Sequence, residues 1–260
     1  MKQLELSTID ILELLERKYD EFNRPLYIDS DPIQIPHRFS KPEDIEISAF
    51  LTATIAWGNR KSIITNANRL MGMIDNAPHD FVINASKDEI KHLKTFVHRT
   101  FNGDDCMFTI RSLKNIYLNH GGLHGLFSKG FNSTQTIKGS LEYARTILFE
   151  TELENAREKH FANAAKNSSC KRLNMYLRWM VRSDNRAVDF GLWDNIPMSE
   201  LQIPLDVHVG NVARKLGLLQ RSQDDWKAVE ILTQKLKSFC PNDPVKYDYS
   251  LFGLGVFEGF

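Results

Sequence analysis

The chain has 260 residues, of which 42% are hydrophobic, and its 33 basic and 33 acidic side chains give a net charge of zero. This apolar content excludes an intrinsically disordered chain, and the length suits one large domain or two associated subdomains. A neutral total provides no global attraction to nucleic acid or to an anionic membrane, which taken alone argues mildly against a DNA-binding protein.

The N-terminal sequence predicts an amphipathic helix rather than a targeting segment. Ser7 and Asp10 have the spacing of a capping box, and Leu12, Leu15 and Tyr19 follow at helical spacing. The chain shows no signal-peptide pattern and no run of about 18 apolar residues that could span a bilayer. We therefore expect a cytoplasmic protein with no membrane partner.

Helical patterns continue along the chain, and convincing alternating strands are absent. Ser40 and Pro42 begin a helix that reaches Trp57 and ends at Gly58; its body from Ile47 to Ile55 is nearly all apolar or small, which we interpret as a buried central helix. Further helices are predicted at about 60–74, 104–119, 134–150, 171–183, 207–216, 224–239 and 243–252. The predicted fold class is all-α.

The zero net charge is a sum of unequal segments. Residues 1–50 carry 6 basic and 11 acidic side chains, whereas residues 157–182 carry seven basic side chains against Glu158 alone. Such a stretch attracts phosphates locally whatever the total charge, although a solvated helix face would have the same composition.

Cysteine and histidine patterns provide no metal centre. Cys106, Cys170 and Cys240 are widely spaced and form no Cys-x-x-Cys, which excludes a cysteine-based zinc site, an iron–sulfur cluster and a disulfide scaffold. His120 and His124 have the spacing of helix-borne ligands, but Gly121-Gly122 between them disfavours a helix. A metal hydrolase could draw on His79, Asp80, His98, Asp104, Asp105, His120 and His124. Since no third ligand lies at a diagnostic spacing, we predict no metal and no cofactor.

Asp206 is the first residue that could carry chemistry. Pro204 interrupts the preceding segment, and Val207, Val209 and Val212 begin an apolar helical stripe directly after Asp206. This position is typical of a helix N-cap. Asp206 is therefore either a structural cap only or a cap that also takes part in catalysis.

Lys171 is the second such residue. Asn167, Ser168 and Ser169 form a polar turn, and the helix that follows places Lys171 in its first turn beside Arg172. A helix N-terminus and a neighbouring cation both disfavour a charged ammonium, and a neutral amine is what a lysine nucleophile requires. An ordinary surface lysine is the alternative.

Taken together, these two stretches resemble the helix-hairpin-helix DNA glycosylase superfamily. The similarity lies in Pro204-Leu205-Asp206-Val207-His208, in Val212-Ala213-Arg214-Lys215-Leu216-Gly217 and in the early run from Leu51 to Asn59. The spacing of Lys171 and Asp206, and the pair Lys171 and Arg178, are most similar to the archaeal 8-oxoguanine glycosylase branch. The superfamily's hairpin is rich in glycine, whereas residues 164–170 contain none, so the hydroxyls of Ser168 and Ser169 would substitute for its phosphate contacts.

The whole chain also resembles an uncharacterised bacterial family. The similarity lies in the run from Lys171 to Arg182 and in Asp243-Pro244-Val245-Lys246-Tyr247-Asp248. That family has no established activity.

The glycosylase resemblance implies a single globular unit of residues 1–260 with two helical subdomains flanking a cleft, 43–203 and 1–42 joined to 204–260. It implies a monomeric base-excision repair enzyme that acts on double-stranded DNA with a damaged base, removes an oxidised purine such as 8-oxoguanine and cleaves the strand through a Schiff base. Lys171 and Asp206 would be catalytic. Base-pocket residues would be Asn59, Trp57, His98, Asp248 and Phe252, and DNA-backbone contacts would come from Ser168, Ser169, Arg172 and Arg178. The alternatives are a non-catalytic nucleic-acid-binding protein of the same fold and a helical protein-interaction module.

Overall fold

A computed structural model describes residues 6–260 of the chain and confirms the all-α prediction. Within these residues, the only sheet is a two-stranded antiparallel hairpin in which β1 (Val97–His98) pairs with β2 (Phe101–Asn102). The rest is built from thirteen α-helices and short 3₁₀ turns.

The chain divides into two compact units. We call residues 6–29 with 164–260 the terminal unit and residues 30–163 the middle unit. This division differs from the expected boundaries at 42/43 and 203/204, because the helix that carries Lys171 belongs with the C-terminal part of the chain. The terminal unit contains α1 (Thr8–Phe22), α10 (Lys171–Val181), α11 (Val207–Lys215), α12 (Trp226–Lys237) and α13 (Tyr247–Phe257), while α2 (Pro25–Ser30) ends at the boundary.

In the terminal unit, α13 packs against both α1 and α11. The apolar stripe of α1 is formed by Ile11, Leu15 and Tyr19, which are buried; Leu15 and Tyr19 were predicted, whereas Leu12 is only half-buried and Ile11 lies in the core in its place. The Ser250 hydroxyl on α13 donates to the Leu15 carbonyl at 2.7 Å across 235 residues of sequence. The two ends of the chain thus form one core.

The middle unit is a bundle of seven helices together with the β1–β2 hairpin. Its α8 and α9 pack closely because Gly130 has no side chain. A Cβ at this position would lie 2.9 Å from the Ser140 Cα, which is too close. The helices are α3 (Pro42–Thr54), α4 (Arg60–Met73), α5 (Pro78–Asn84), α6 (Lys87–His92), α7 (Gly103–Asn119), α8 (Gly122–Thr134) and α9 (Ile137–Leu148).

Two of the three predicted helix caps are present: Ser7 caps α1 and Asp206 caps α11, whereas Ser40 does not cap α3, which follows Lys41 without a side-chain cap. Ser7 and Asp10 form both hydrogen bonds of a capping box at the start of α1. The buried central helix α3 is present, although it ends at Thr54 and not at Trp57. Its residues from Ile45 to Thr54 are buried. Among residues 6–260, no helix has the length and apolar character needed to cross a bilayer.

Candidate active site

Asp206 caps α11 with one oxygen and leaves the other for a partner. Its Oδ1 accepts hydrogen bonds from the backbone N–H groups of His208 at 2.9 Å and Val209 at 3.0 Å. Its Oδ2 lies 3.8 Å from the Lys171 Nζ. The cap therefore fixes the carboxylate while one oxygen stays directed at the lysine.

Lys171 is the first residue of α10, which begins after Cys170 in a left-handed conformation with φ of 49°. Besides Asp206, its Nζ lies 3.6 Å from the Met175 sulfur one turn along the helix. The side chains of Lys171 and Asp206 are 24% and 21% exposed, so a ligand can reach both. The two residues that the sequence singled out for chemistry are thus adjacent and accessible.

Asp248 lies in the first turn of α13 and is buried. Its Oδ2 accepts a hydrogen bond from the Arg178 Nη1, whereas no group within residues 6–260 forms a hydrogen bond with its Oδ1. Burial raises the pKa of Asp248 to about 6 against the lowering effects of Arg178 and Lys171, and the carboxylates of Asp206 and Asp189 act with burial. A buried acceptor without a partner is costly, which marks this oxygen as a candidate ligand contact.

The position of Arg178 corrects the prediction that it contacts a DNA phosphate. Its side chain is 3% exposed, and its Nε donates to Asp189 at 3.2 Å while its Nη1 bonds Asp248. Its guanidinium also lies over the Tyr249 ring at 4.4 Å. Since these contacts enclose the group, it supports Asp248 and does not face a phosphate.

The sequence from residue 31 to residue 257 matches the family described as "Protein of unknown function (DUF2400)". The chain belongs to this family. The match confirms the resemblance to an uncharacterised family and carries no activity with it. Searches of curated proteins and of solved structures each find no match.

Helix α1 precedes the region that matches DUF2400, yet it supports the site. The Tyr19 hydroxyl accepts a hydrogen bond from the Arg182 Nη2 at 2.9 Å and donates to Asp184 at 3.0 Å. Glu16 accepts from Lys246 at 2.9 Å and from the Tyr247 hydroxyl at 2.6 Å, just before Asp248. The start of α13 is therefore held from α1.

Sequence reasoning missed a buried ion network behind Asp248 in this DUF2400 chain. Arg182 is fully buried one turn beyond Arg178, and it pairs with Asp184 at 2.8 Å, Asp189 at 3.0 Å and Asp243 at 2.9 Å. The available signal was an arginine pair at i, i+4 on a helix whose other residues are mostly apolar. Such a pair predicts buried carboxylate partners, but the spacing does not say which ones.

The polar turn before α10 is hydrogen-bonded to the start of α12. The Asn167 Nδ2 donates to the Asp225 carboxylate at 2.9 Å, and the Trp226 N–H donates to the Asn167 carbonyl at 3.1 Å. Ser168 is half-buried, and its hydroxyl accepts from the Cys170 N–H at 3.3 Å. Asn167 and Cys170, both at positive φ, form the turn that glycines would otherwise make.

The other residues predicted to contact the DNA backbone are partly enclosed. Ser169 is half-buried, and its carbonyl accepts from the Asn174 Nδ2 at 3.1 Å. Burial lowers the pKa of Arg172 to about 10. A phosphate contact by Ser168, Ser169 or Arg172 stays a prediction.

The base-pocket candidates Trp57, Asn59 and His98 belong to the middle unit. Asn59 caps α4 by accepting from the Ser62 N–H at 3.1 Å. His98 is buried, its ring meets the half-buried Trp57 ring edge-on at 5.1 Å, and burial lowers the pKa of His98. Phe252 belongs to the terminal unit, one turn beyond Asp248 on α13, and its ring faces the His208 ring at 6.4 Å.

The rival metal constellation is dispersed. His120 ends α7 and pairs with Glu150 at 3.1 Å, while His79 bonds the Lys41 ammonium at 3.0 Å. Gly121 and Gly122, both at positive φ, separate His120 from the helix that contains His124. No three metal-ligating side chains come together in the part of the chain that the structure describes.

The raised pKa of Asp248 predicts how replacing it changes stability with pH. Because the folded-state pKa exceeds the unfolded value of about 3.9, the contribution of Asp248 to the free energy of unfolding is full below about pH 4 and is lost as pH rises through about 6. As pH rises from 4 to 7.5, the free energy of unfolding of Asp248→Asn should therefore increase by about 3 kcal/mol relative to that of the wild type.

Urea unfolding at both pH values measures this difference. Phe252→Leu, one turn along α13 and without a titratable group, is the matched control whose difference from the wild type should be equal at the two pH values. An Asp248→Asn difference that is also independent of pH would show that this carboxyl titrates normally.

Proposed function

We propose that the protein is a base-excision repair DNA glycosylase with Schiff-base lyase activity on an oxidised purine such as 8-oxoguanine. The observation that carries the proposal is the 3.8 Å approach of the Lys171 Nζ to the Asp206 Oδ2, with both groups accessible. An amine and a capped carboxylate at this separation can work on one reacting carbon. The proposal includes a monomeric cytoplasmic enzyme with double-stranded DNA as its substrate.

The chemistry assigns one role to each residue. The Lys171 amine, once it has lost a proton, would attack the deoxyribose C1′ as the bond from C1′ to the base nitrogen breaks. The Asp206 carboxylate would stabilise the positive charge that develops on the sugar and carry the amine proton to the departing base. Opening of the sugar ring then gives the Schiff base, which permits strand cleavage by elimination.

Recognition of the damaged base in the proposed pocket depends on Asp248. A damaged base must leave the duplex stack to be read, and pockets of this kind hold it through hydrogen bonds to its edge and contacts to its faces. The free Oδ1 of Asp248 would accept a hydrogen bond from a ring N–H, and Phe252 would offer an aromatic surface one turn away. Trp57, Asn59 and His98 stay proposed pocket residues of the middle unit.

Borohydride trapping tests the proposal directly. The wild-type protein, incubated with duplexes that contain 8-oxoguanine, other oxidised purines or an abasic site, should form a covalent adduct that is stable to denaturation. An undamaged duplex of the same sequence is the control. Absence of an adduct with every lesion would contradict the lyase assignment.

The same preparation separates the proposed enzyme from a DNA-binding protein of this fold. A non-catalytic protein would retain DNA at low salt, release no base from any lesion, and bind equally well after the double change Lys171→Gln and Asp206→Asn. Failure to retain DNA at low salt would instead favour a protein-interaction module.

A further inference from the structure

Two carboxylates share the Arg178 guanidinium, and they are not equivalent. Asp189 bonds Arg178 of α10 and Arg182, the residue that follows α10: its Oδ1 accepts from the Arg178 Nε at 3.2 Å and its Oδ2 from the Arg182 Nη1 at 3.0 Å. Among the residues that the structure describes, Asp248 bonds Arg178 alone, with one oxygen. Both carboxylates are buried, so neither is screened by water.

The cluster holds more acid than base. Arg178 and Arg182 face four carboxylates, those of Asp184, Asp189, Asp243 and Asp248. Lys171 and Asp206 add one charge of each sign nearby. Desolvated carboxylates in excess of their cations favour retention of a proton, and the carboxylate with the fewest hydrogen bonds is the one that holds it.

We infer that Asp189 is a specificity-determining positioning residue: by sharing the Arg178 guanidinium with Asp248, it lets the free oxygen of Asp248 change from hydrogen-bond acceptor to donor. The inference rests on the proposed function for its ligand. An oxidised purine with a carbonyl at C8 presents N–H at N7, which an ionised Asp248 accepts. An unmodified purine presents a bare N7, which only a protonated Asp248 can bond.

The groups that face Asp248 come from several elements. Charged neighbours are Arg178 and Lys171 from α10, Asp189 from the segment after α10 and Asp206 from the start of α11. Tyr249 lies beside it on α13, Tyr19 of α1 faces Tyr249, and His208 of α11 faces Phe252. Of these groups, Asp189 is the anion that shares the Arg178 guanidinium with Asp248, and it is not a member of the proposed reacting pair Lys171 and Asp206.

The test is a carboxyl ¹³C NMR titration of the wild type, Asp189→Asn and Asp184→Asn. Asp248 is assigned by loss of its resonance in Asp248→Asn. Its titration midpoint in the wild type should lie near pH 6 and should move down by about 1 in Asp189→Asn, because Arg178 is then undivided. Asp184→Asn is the matched control, since Asp184 bonds Arg182 but not Arg178, and it should leave the midpoint nearly unchanged.

Equal shifts in the two variants, or no shift in Asp189→Asn, would overturn the inference. If Asp189→Asn does not fold, the Asp248 titration midpoint in the wild type is the remaining measurement. A midpoint at or below the ordinary value of about 3.9 would overturn the inference, and a midpoint near 6 supports it.

A binding measurement tests the ligand part. In a Lys171→Gln background, the preference for an 8-oxoguanine duplex over a guanine duplex should fall about tenfold as Asp248 becomes protonated, and Asp189→Asn should extend the preference to lower pH. No preference at any pH would overturn the proposed function and this ligand role. The titration would still decide whether Asp189 controls Asp248.

Discussion

Lys171→Gln should abolish borohydride trapping and lower the rate of strand cleavage at the damaged base at least about 10³-fold. Glutamine keeps the length and polarity of the side chain, but its amide cannot form a Schiff base with a sugar carbon. The loss should appear in kcat, because the proposed lysine acts on the reacting carbon and contributes little to holding the duplex. Single-turnover assays with an 8-oxoguanine duplex measure it.

Lys166→Gln provides the matched control for this experiment. Lys166 is exposed and lies five residues before Lys171 in the same basic stretch. Lys166→Gln removes one positive charge, as Lys171→Gln does, but leaves the proposed nucleophile in place. Trapping at saturating protein should therefore be within about twofold of the wild type. Equal trapping by Lys171→Gln and the wild type would remove Lys171 from the mechanism.

Arg182→Met should destabilise the protein by about 3–5 kcal/mol. The change removes a fully buried cation and leaves Asp184, Asp189 and Asp243 without it, because all three carboxylates pair with Arg182. Burial opposes the charge of Arg182, yet Asp189 and Asp243 raise its pKa above the ordinary value, which shows that the carboxylates outweigh the loss of hydration. Urea unfolding at neutral pH measures the effect.

Arg186→Met is the control for burial. Arg186 pairs with Asp20 in an exposed contact and lies over the Tyr19 ring at 4.3 Å, so its loss should cost about 1 kcal/mol or less. Acidification should reduce the deficit of Arg182→Met, because protonation neutralises the carboxylates left behind. A deficit as small as that of Arg186→Met would show that the network adds little to stability.

Helix caps were predictable because they depend on a few neighbouring residues. Two helix starts could be recognised from about four consecutive residues: Ser7 with Asp10 before α1, and Asp206 with the valines that follow it at α11. Boundaries that depend on packing were not predictable. The helix α13 begins at Tyr247 and not at about residue 243, because Pro244 leads a 3₁₀ turn first.

Helices broken by glycine and short strands were also missed. Gly121-Gly122 indicated a break, but a new helix, α8, begins at the second of these glycines. The β1–β2 hairpin has only two residues in each strand, too few for an alternating pattern to register. Neither feature has a local signal strong enough to compete with the helical patterns around it.

The proximity of Lys171 and Asp206 was predictable, but the surroundings of the candidate site were not. Lys171 and Asp206 each begin a helix, and the resemblance to glycosylases placed them together. The charge count could not distinguish the accessible Lys171 from the buried Arg178, since both contribute equally to a basic stretch. Asp189 and Asp243 lie in irregular segments, where no periodicity reports what a side chain faces.

The hydrogen bond between Leu15 and Ser250 has a consequence for biosynthesis. At a typical elongation rate of about 5–20 residues per second, α1 would leave the ribosome roughly 10–50 s before the partner it packs against is made. During that interval the middle unit can fold, while the apolar stripe of Ile11, Leu15 and Tyr19 has no native surface to cover it. The apolar stripe of α1 therefore stays without its native partner on the nascent chain until α13 emerges.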